Sequence, residues 1–329
     1  MAVLADRSSK WWLMALGLAA ALPARALDAT PETARIVSDP LYLPLEGQIY
    51  GATAYHWSST TQDAFDATGA QTSSSQITGN ALAQQFQYGL TDDLALRLDW
   101  GYDWRSASRH LVPSGVVVRS SSGWTDPTFG VTWRAIDQSA SPFSLDLRAD
   151  YSPDAFPAKS ATTEDEGTIA RGGQTVDLGL TLGHETRAFT IAALFDANYL
   201  GSRKVENQGT GGFTTTDSLW NYRLGLDTQT RLSDVLSINA GAGHTFANDA
   251  TLFNSNTGLT HISQGGDFTD LNVALNYHFV PNTVVGSLGY QHNFYDDTRN
   301  LFPTSPTDDS SVRNKDEDVV GVTLRYVLN

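Results

Sequence analysis

Arginine and aspartate residues recur at every second position in several short stretches, and they are the residues best placed to do chemistry. In the stretch Leu94–Arg105, charged residues alternate with large apolar or aromatic ones. The charged positions that share this pattern along the chain are Arg97, Asp99, Asp103, Arg105, Arg134, Asp146, Arg148, Asp150, Asp177, Asp196, Arg223, Asp227 and Arg325. Because an Arg fork can bridge two carboxylates, the set predicts either a closed lattice of ion pairs or a charged constriction in a water-filled channel. The near balance of charge favours neutral or zwitterionic solutes over anions.

Residues for covalent catalysis are harder to assemble from this sequence. A surface hydrolase needs a His close to a Ser, or His and Asp pairs at a common mouth. His110, His261 and His292 are available, but no spacing unites them with a Ser. The acidic pairs at 296–297 and 308–309 are typical of solvated loops. We therefore expect no enzymatic activity. A surface hydrolase ranks third among the functions that this sequence could serve.

Residues that bind metal ions or nucleic acids are also scarce in this sequence. The chain has no Cys, and its seven His are scattered, so we expect no metal centre and no cofactor. The acidic runs Glu164–Glu166 and Asp316–Asp318 could bind Ca²⁺ or Mg²⁺ that bridges to lipopolysaccharide. A formal net charge of −15 argues against a nucleic-acid partner, because phosphate contacts need a basic surface.

The elements that carry the charges have the two-residue period of β-strands, with one apolar and one polar face. An apolar outside with a polar inside is typical of a transmembrane β-barrel. Beyond the N-terminus no run of about 18 apolar residues predicts a membrane-spanning helix. The alternation predicts twelve strands, at about 43–57, 75–88, 94–105, 123–136, 143–152, 174–185, 189–200, 218–231, 235–247, 268–279, 283–296 and 317–328.

The connections between these strands alternate in length, which favours an all-β, closed antiparallel barrel over a soluble β-sandwich. Short turns follow every even-numbered strand, and polar stretches such as 58–74 and 108–122 follow the odd-numbered ones. Outer-membrane barrels have short periplasmic turns and long external loops. Closure is required because lipid offers no partner to an unpaired backbone group.

Aromatic residues on the apolar faces predict girdles at the membrane interfaces. The predicted girdle positions are Trp100, Tyr102, Trp104, Trp133, Tyr151, Tyr199, Trp220, Tyr222, Tyr277, Tyr290 and Tyr326.

The N-terminus carries the pattern of an export signal. Arg7 and Lys10 precede an apolar run over 11–22, and Ala24-Arg25-Ala26 follows. This pattern predicts a Sec signal peptide over 1–26, cleaved after Ala26. Residues 27–42 are then a periplasmic lead before the barrel at 43–329, either mobile or folded into the lumen as a plug.

Two short motifs carry family resemblances. The ending with Gly321, Leu324 and Tyr326 resembles the C-terminal signal read by the barrel assembly machinery, although the chain runs on to Asn329. The stretches Tyr88–Leu94 and Asp126–Val131 resemble motifs of outer-membrane transporters of the meta-pathway phenol-degradation type. That resemblance implies passage of small solutes, including aromatic ones.

These observations predict a porin-like channel of the Gram-negative outer membrane for passive passage of small solutes. The first alternative is a structural or adhesion barrel that has a closed lumen and acts through its external loops.

Overall fold

A computed structural model describes residues 36–328, and the signal peptide predicted over 1–26 lies outside these residues. Within residues 36–328, nearly all the regular structure is β-strand, and a short 3₁₀ helix lies at Pro306–Asp308. The strands are β1 Ile49–Asp66, β2 Gln71–Thr91, β3 Leu94–Leu111, β4 Val116–Trp124, β5 Thr128–Ile136, β6 Ser144–Ser152, β7 Lys159–Ser160, β8 Thr175–Glu185, β9 Phe189–Leu200, β10 Arg203–Asn207, β11 Gly212–Thr216, β12 Leu219–Ser233, β13 Leu236–Ala247, β14 Ala250–Asn254, β15 Leu259–Ser263, β16 Phe268–Val280, β17 Val284–Tyr295, β18 Thr298–Leu301 and β19 Ser310–Leu328.

Twelve of these strands form a closed antiparallel barrel, as the alternation predicts. The ring runs β1, β2, β3, β5, β6, β8, β9, β12, β13, β16, β17 and β19. It closes where β19 pairs with β1, with Leu328 opposite Ile49. The start of β1 and the end of β19 therefore lie at the same rim of the barrel as the turns 92–93, 186–188, 234–235 and 281–283. We call this rim the short-turn side. Within residues 36–328, no helix is long and apolar enough to cross a membrane.

The predicted bounds of the first strand and its following loop are wrong. β1 begins at Ile49 rather than at residue 43, and it continues to Asp66 through the Ser/Thr-rich stretch. Only the residues 67–70 connect it to β2, so this connection is not long. The polar stretch lacks an apolar face, but its Thr and Ser side chains suit a strand that extends beyond the lipid.

Most of the other predicted long loops are also β-hairpins. The pairs β3–β4, β10–β11 and β14–β15 extend the barrel wall on the side opposite the short turns. Antiparallel pairing satisfies their backbone groups, so a polar sequence there does not imply irregular structure.

The outer face of the wall is apolar, and aromatic residues mark both of its ends. Large apolar side chains such as Leu96, Leu178 and Leu224 are exposed there. Trp133, Tyr277 and Tyr326 lie near the short-turn ends of their strands, and the other eight predicted girdle residues lie farther toward the hairpins. All eleven occupy outward-facing positions of the two-residue period.

The C-terminal motif makes specific contacts across the closing strand pair. Gly51 of β1 lies beneath the Tyr326 ring, and a Cβ there would meet Tyr326 Cε2 at 2.5 Å. On the inner face, the His56 imidazole occupies the space that a side chain at Gly321 would need. The role of this motif in assembly stays a prediction.

Residues 36–45, which we call the strap, lie inside the barrel at its short-turn side. They include the described part of the lead predicted over 27–42. Val37 packs against Tyr50, Val285 and Val327 on three different strands. Leu43 is only 1% exposed. Directly after the strap, a parallel β-bridge joins Glu46 to Gly89.

Candidate functional site

Seven charged side chains form a continuous chain of ion pairs on the inner wall, which we call the charge ladder. It begins on β3, where Arg97 Nε lies 2.5 Å from Asp99 Oδ2, and Arg97 also reaches Asp150 at 3.5 Å. Arg148 continues the ladder, with nitrogen–oxygen distances of 3.0 Å to Asp150 and 2.8 Å to Asp196.

Arg223 and Asp270 form the other end of the ladder. Arg223 lies 3.8 Å from Asp196 and donates hydrogen bonds to both oxygens of Asp270, at 3.2 and 3.0 Å. Asp270 was not among the predicted charged positions. It shares the inward register of Asn272 and Asn276 on β16, so the two-residue period was the signal that could have found it.

Glycines on intervening strands let these ion pairs span two strand spacings. Gly130 of β5 lies in register between Arg97 and Asp150, and Gly179 of β8 lies between Arg148 and Asp196. A Cβ at Gly179 would meet Asp196 Oδ1 at 2.9 Å and Arg148 Nε at 3.2 Å. The small residues among the charged ones are therefore part of the site.

The ladder exposes its arginines more than its aspartates to the lumen. The side chains of Arg148 and Arg223 are 33% and 28% exposed, whereas Asp150 and Asp270 are 6% and 5% exposed. The short carboxylates lie against the wall, and the longer guanidinium groups extend from it. Guanidinium faces therefore contribute most of the charged surface that a solute would meet here.

A second group of charged and polar residues holds the strap. Gln229 donates to the Ser38 hydroxyl at 2.8 Å, and Asn239 donates to the Ser38 carbonyl at 2.8 Å. The Thr190 hydroxyl donates to Asp39 Oδ2, and the backbone N–H of Leu41 donates to Asp39 Oδ1 at 2.9 Å. Side chains of three barrel strands thus bind two consecutive strap residues.

Arg134 joins the strap to the part of the wall formed by β5 and β6. Its Nε and Nη2 donate to the two Asp146 oxygens at 2.8 and 2.9 Å, and Nη2 also donates to the Leu41 carbonyl. The Arg134 side chain is 5% exposed. A buried guanidinium needs several acceptors, and here the strap supplies one of them.

The Asp39 carboxyl is a titratable group that this arrangement buries. Burial raises its pKa above the ordinary value of 3.8, and the bonds from Thr190 and Leu41 oppose this shift only in part. The charges that act on it include Arg231 and Arg134, which also favour the ionised form, and Glu185, whose negative charge disfavours it. Docking of the strap is therefore linked to proton binding.

Between the strap and the wall lies a cavity of about 340 Å³. Its lining is predominantly polar and consists of Val37, Ser38, Asp39, Pro40, Tyr42, Tyr50, Gln87, Arg223, Asp227, Thr228, Asn239, Ala240, Asn272 and Arg325. It brings together the predicted lumen residues Arg223, Asp227 and Arg325. The strap thus narrows the lumen and also forms one wall of a compartment inside it.

The remaining predicted lumen residues form no ion pair with the ladder, although Asp177 lies directly across from Asp150 in the strand register. Asp103 and Arg105 form a pair at 2.9 Å within one strand, and the Arg105 side chain is 56% exposed. Asp177 accepts a hydrogen bond from Asn198 on the neighbouring strand. Whether the thirteen residues act together as a selectivity constriction stays a prediction.

Histidine contacts provide little for hydrolytic chemistry. His292 Nδ1 lies 2.8 Å from Asp318 Oδ1, which also accepts a hydrogen bond from Tyr290 at 2.6 Å. His292 and Tyr290 share the outward register of β17, so this His–Asp pair faces away from the lumen. A Ser–His contact, Ser237 to His278 at 3.1 Å, is buried, with Ser237 0% exposed.

The acidic runs do not gather further ligands around them. Within residues 36–328, no group of three or more His, Asp or Glu side chains is arranged to hold a metal ion. Along Asp316–Asp318 the side chains alternate, and Glu317 accepts hydrogen bonds from Asn293 and Tyr295. A divalent-ion bridge from these runs to lipopolysaccharide stays a prediction.

No family model matches the sequence, and no curated protein matches it significantly. Among solved structures, an outer membrane channel from Pseudomonas putida F1 is similar over 92% of this chain and 100% of that chain, with a TM-score of 0.57 and 17% identity. The P. putida toluene transporter TodX matches over 91% and 94%, with a TM-score of 0.43 and 11% identity. The outer membrane protease OmpT from Escherichia coli matches over 88% and 99%, with a TM-score of 0.37 and 8% identity.

The first similarity supports the fold of an outer-membrane barrel, and the TM-scores of the other two are too low to support an argument. Since no family model matches, the resemblance to transporters of the meta-pathway phenol-degradation type stays a prediction.

Proposed function

We propose that this protein is an outer-membrane channel for small solutes, closed at its short-turn side by the strap. The observation that carries this proposal is that the barrel wall is complete without the strap. Twelve strand pairings close the ring, and the strap is bound by noncovalent side-chain contacts at Ser38, Asp39 and Leu41. Displacing the strap would therefore open the lumen without breaking any strand pairing of the barrel.

The proposed membrane location follows from the surface of the barrel. An apolar outer wall with aromatic residues toward both ends fits a lipid bilayer, and the asymmetry of turns and hairpins supports a periplasmic short-turn side. Export by the predicted signal peptide, insertion by the barrel assembly machinery and contact with lipopolysaccharide belong to the same proposal. The fold shared with the P. putida F1 channel supports it.

The solutes we propose are small and neutral or zwitterionic. The cavity is lined mainly by hydroxyl, amide and charged groups. An apolar aromatic solute would displace water from these groups without replacing its hydrogen bonds, which costs free energy. The aromatic solutes implied by the family resemblance therefore fit this lining less well than polar ones.

Single-channel conductance of the refolded protein in a planar bilayer tests the proposal. The mature chain should show rare, brief openings, and a variant that lacks residues 27–42 should show stable conductance steps. Heat-modifiable gel mobility is the control that both proteins are folded. Silence from both folded proteins would refute the channel and favour the rival function, a closed barrel that binds a partner through its external hairpins.

A further inference from the structure

We infer that the cavity beside the strap binds a small zwitterion, with its carboxylate on Arg325 and its ammonium group near Asp227. This inference rests on the proposed channel function and names the class of its solute.

The cavity has the size of a ligand site for a small molecule. Its volume of about 340 Å³ lies at the lower end of the range for ligand pockets, roughly 300–1,000 Å³. At roughly 30 Å³ for each water in the liquid, it holds about ten water-sized groups. A short amino acid fits within this volume.

Two of the four charged residues that line the cavity are already satisfied by protein groups. Arg223 donates two hydrogen bonds to Asp270. Both Asp39 oxygens accept hydrogen bonds, from Thr190 and from the Leu41 backbone. These two residues therefore have less capacity left for a ligand.

The other two lining charges, Arg325 and Asp227, have opposite sign, and neither forms an ion pair within 4.0 Å among residues 36–328. The Arg223 charge attracts Asp227 from a greater distance, but the Arg223 hydrogen bonds go to Asp270. Within residues 36–328, Arg325 lies within 4.0 Å of no carboxylate, and its hydrogen-bond partners are the neutral side chains of Ser287 and Tyr50. Asp227 forms no ion pair within 4.0 Å and no hydrogen bond with the described residues. Its nearest strand neighbour, Gly241, has no side chain to cover it. An unpaired guanidinium and an unpaired carboxylate thus line one compartment.

These two charges favour one class of solute over the others. A zwitterion supplies a partner to both charges at once, whereas an anion or a cation supplies one, and an apolar molecule supplies none. Because a partly buried charge without a partner is costly, the gain from satisfying both should exceed the gain from either alone.

Isothermal titration calorimetry of the refolded mature chain tests the inference. The probes are glycine, γ-aminobutyrate and ε-aminocaproate as zwitterions of increasing length, with hexanoate and hexylamine as single-charge controls. We expect the best zwitterion to bind at least about tenfold more tightly than either control, a difference of about 1.4 kcal/mol. Equal binding of all probes, or no heat from any of them, would overturn the inference.

Two pairs of variants assign the contacts. Asp227→Asn should weaken zwitterion binding about tenfold and leave hexanoate binding unchanged, and Arg325→Gln should weaken both. The matched controls Asp234→Asn and Arg119→Gln change the same charges at exposed positions and should bind like the parent. If Asp227→Asn binds the zwitterion as tightly as the parent, the assignment is wrong.

Conductance of the same preparation separates this inference from the channel proposal. A barrel that conducts but binds no zwitterion would overturn the inference and leave the channel standing. A barrel that binds the zwitterion but stays silent after deletion of residues 27–42 would support the cavity site and refute the channel.

Discussion

Replacing Gly243 by Ala should destabilise the barrel, because the space above this glycine is filled by an ion pair from the flanking strands. A Cβ at Gly243 would lie 2.6 Å from Asp270 Oδ1 and 2.7 Å from Arg223 Cζ. Both contacts are shorter than any normal Cβ contact, so the pair must move. Overpacking of this kind typically costs about 1–3 kcal/mol.

The cost can be measured as a change in the free energy of unfolding in urea, with the folded fraction read from heat-modifiable gel mobility. Gly289→Ala is the matched control. It also adds a methyl group to the inner face, but its Cβ would meet Ala274 Cβ at 3.6 Å, an ordinary van der Waals distance. We expect this variant to unfold within about 0.5 kcal/mol of the parent.

A double-mutant cycle shows whether the ion pair is the cause. In an Arg223→Ala background the added methyl group loses one of its two clashes, so Gly243→Ala should cost less there than in the parent chain. If Gly243→Ala unfolds like the parent, or costs the same in both backgrounds, the argument that inner-wall glycines make room for the charge ladder is refuted.

Three further predictions concern the strap and the closing strand pair. Arg134→Ala removes a donor to the strap and leaves Asp146 buried without its partner, so it should lower stability by about 3–5 kcal/mol and raise the channel opening frequency. Gly51→Ala meets the Tyr326 ring and should cost about 1–3 kcal/mol in urea unfolding, and less in a Tyr326→Ala background. Because burial raises the pKa of Asp39, strap docking should be strongest below the ordinary value of 3.8 and weaken as pH rises through the raised pKa of the docked state. Openings should therefore increase with pH across that range, and Asp39→Asn should remove this dependence.

The strand pattern could be predicted from the sequence because it is local. A two-residue period assigns each side chain to one face, and lipid outside with water inside requires opposite polarity on the two faces. This pattern predicts a closed barrel of twelve strands. It also predicts that the first strand begins, and the last strand ends, at the same rim. It failed over 58–66, where Ser and Thr occupy both faces and no apolar period marks the strand.

The partners of the charged residues could not be predicted in this way. Arg97 and Asp150 are far apart in the chain and meet because β5 places Gly130 between them. Such a contact depends on the register of three strands and on a missing side chain, and neither follows from the period of any one strand. Asp270 differs, because its inward position follows from the two-residue period of β16, and only its partner Arg223 required the tertiary structure.

The sequence by itself thus determined that the chain forms a barrel, which strand residues face outward, and most of the charges that face the lumen. Only the tertiary structure decided that six of the predicted charges join Asp270 in one ladder, and that Asp227 and Arg325 line a cavity without an ion pair within 4.0 Å. It also placed residues 36–45 within the barrel rather than outside it. The physical reason is that the two-residue period of a strand sets the face to which each of its side chains points. The partner of a side chain and the contents of the lumen depend instead on how all twelve strands close into a ring.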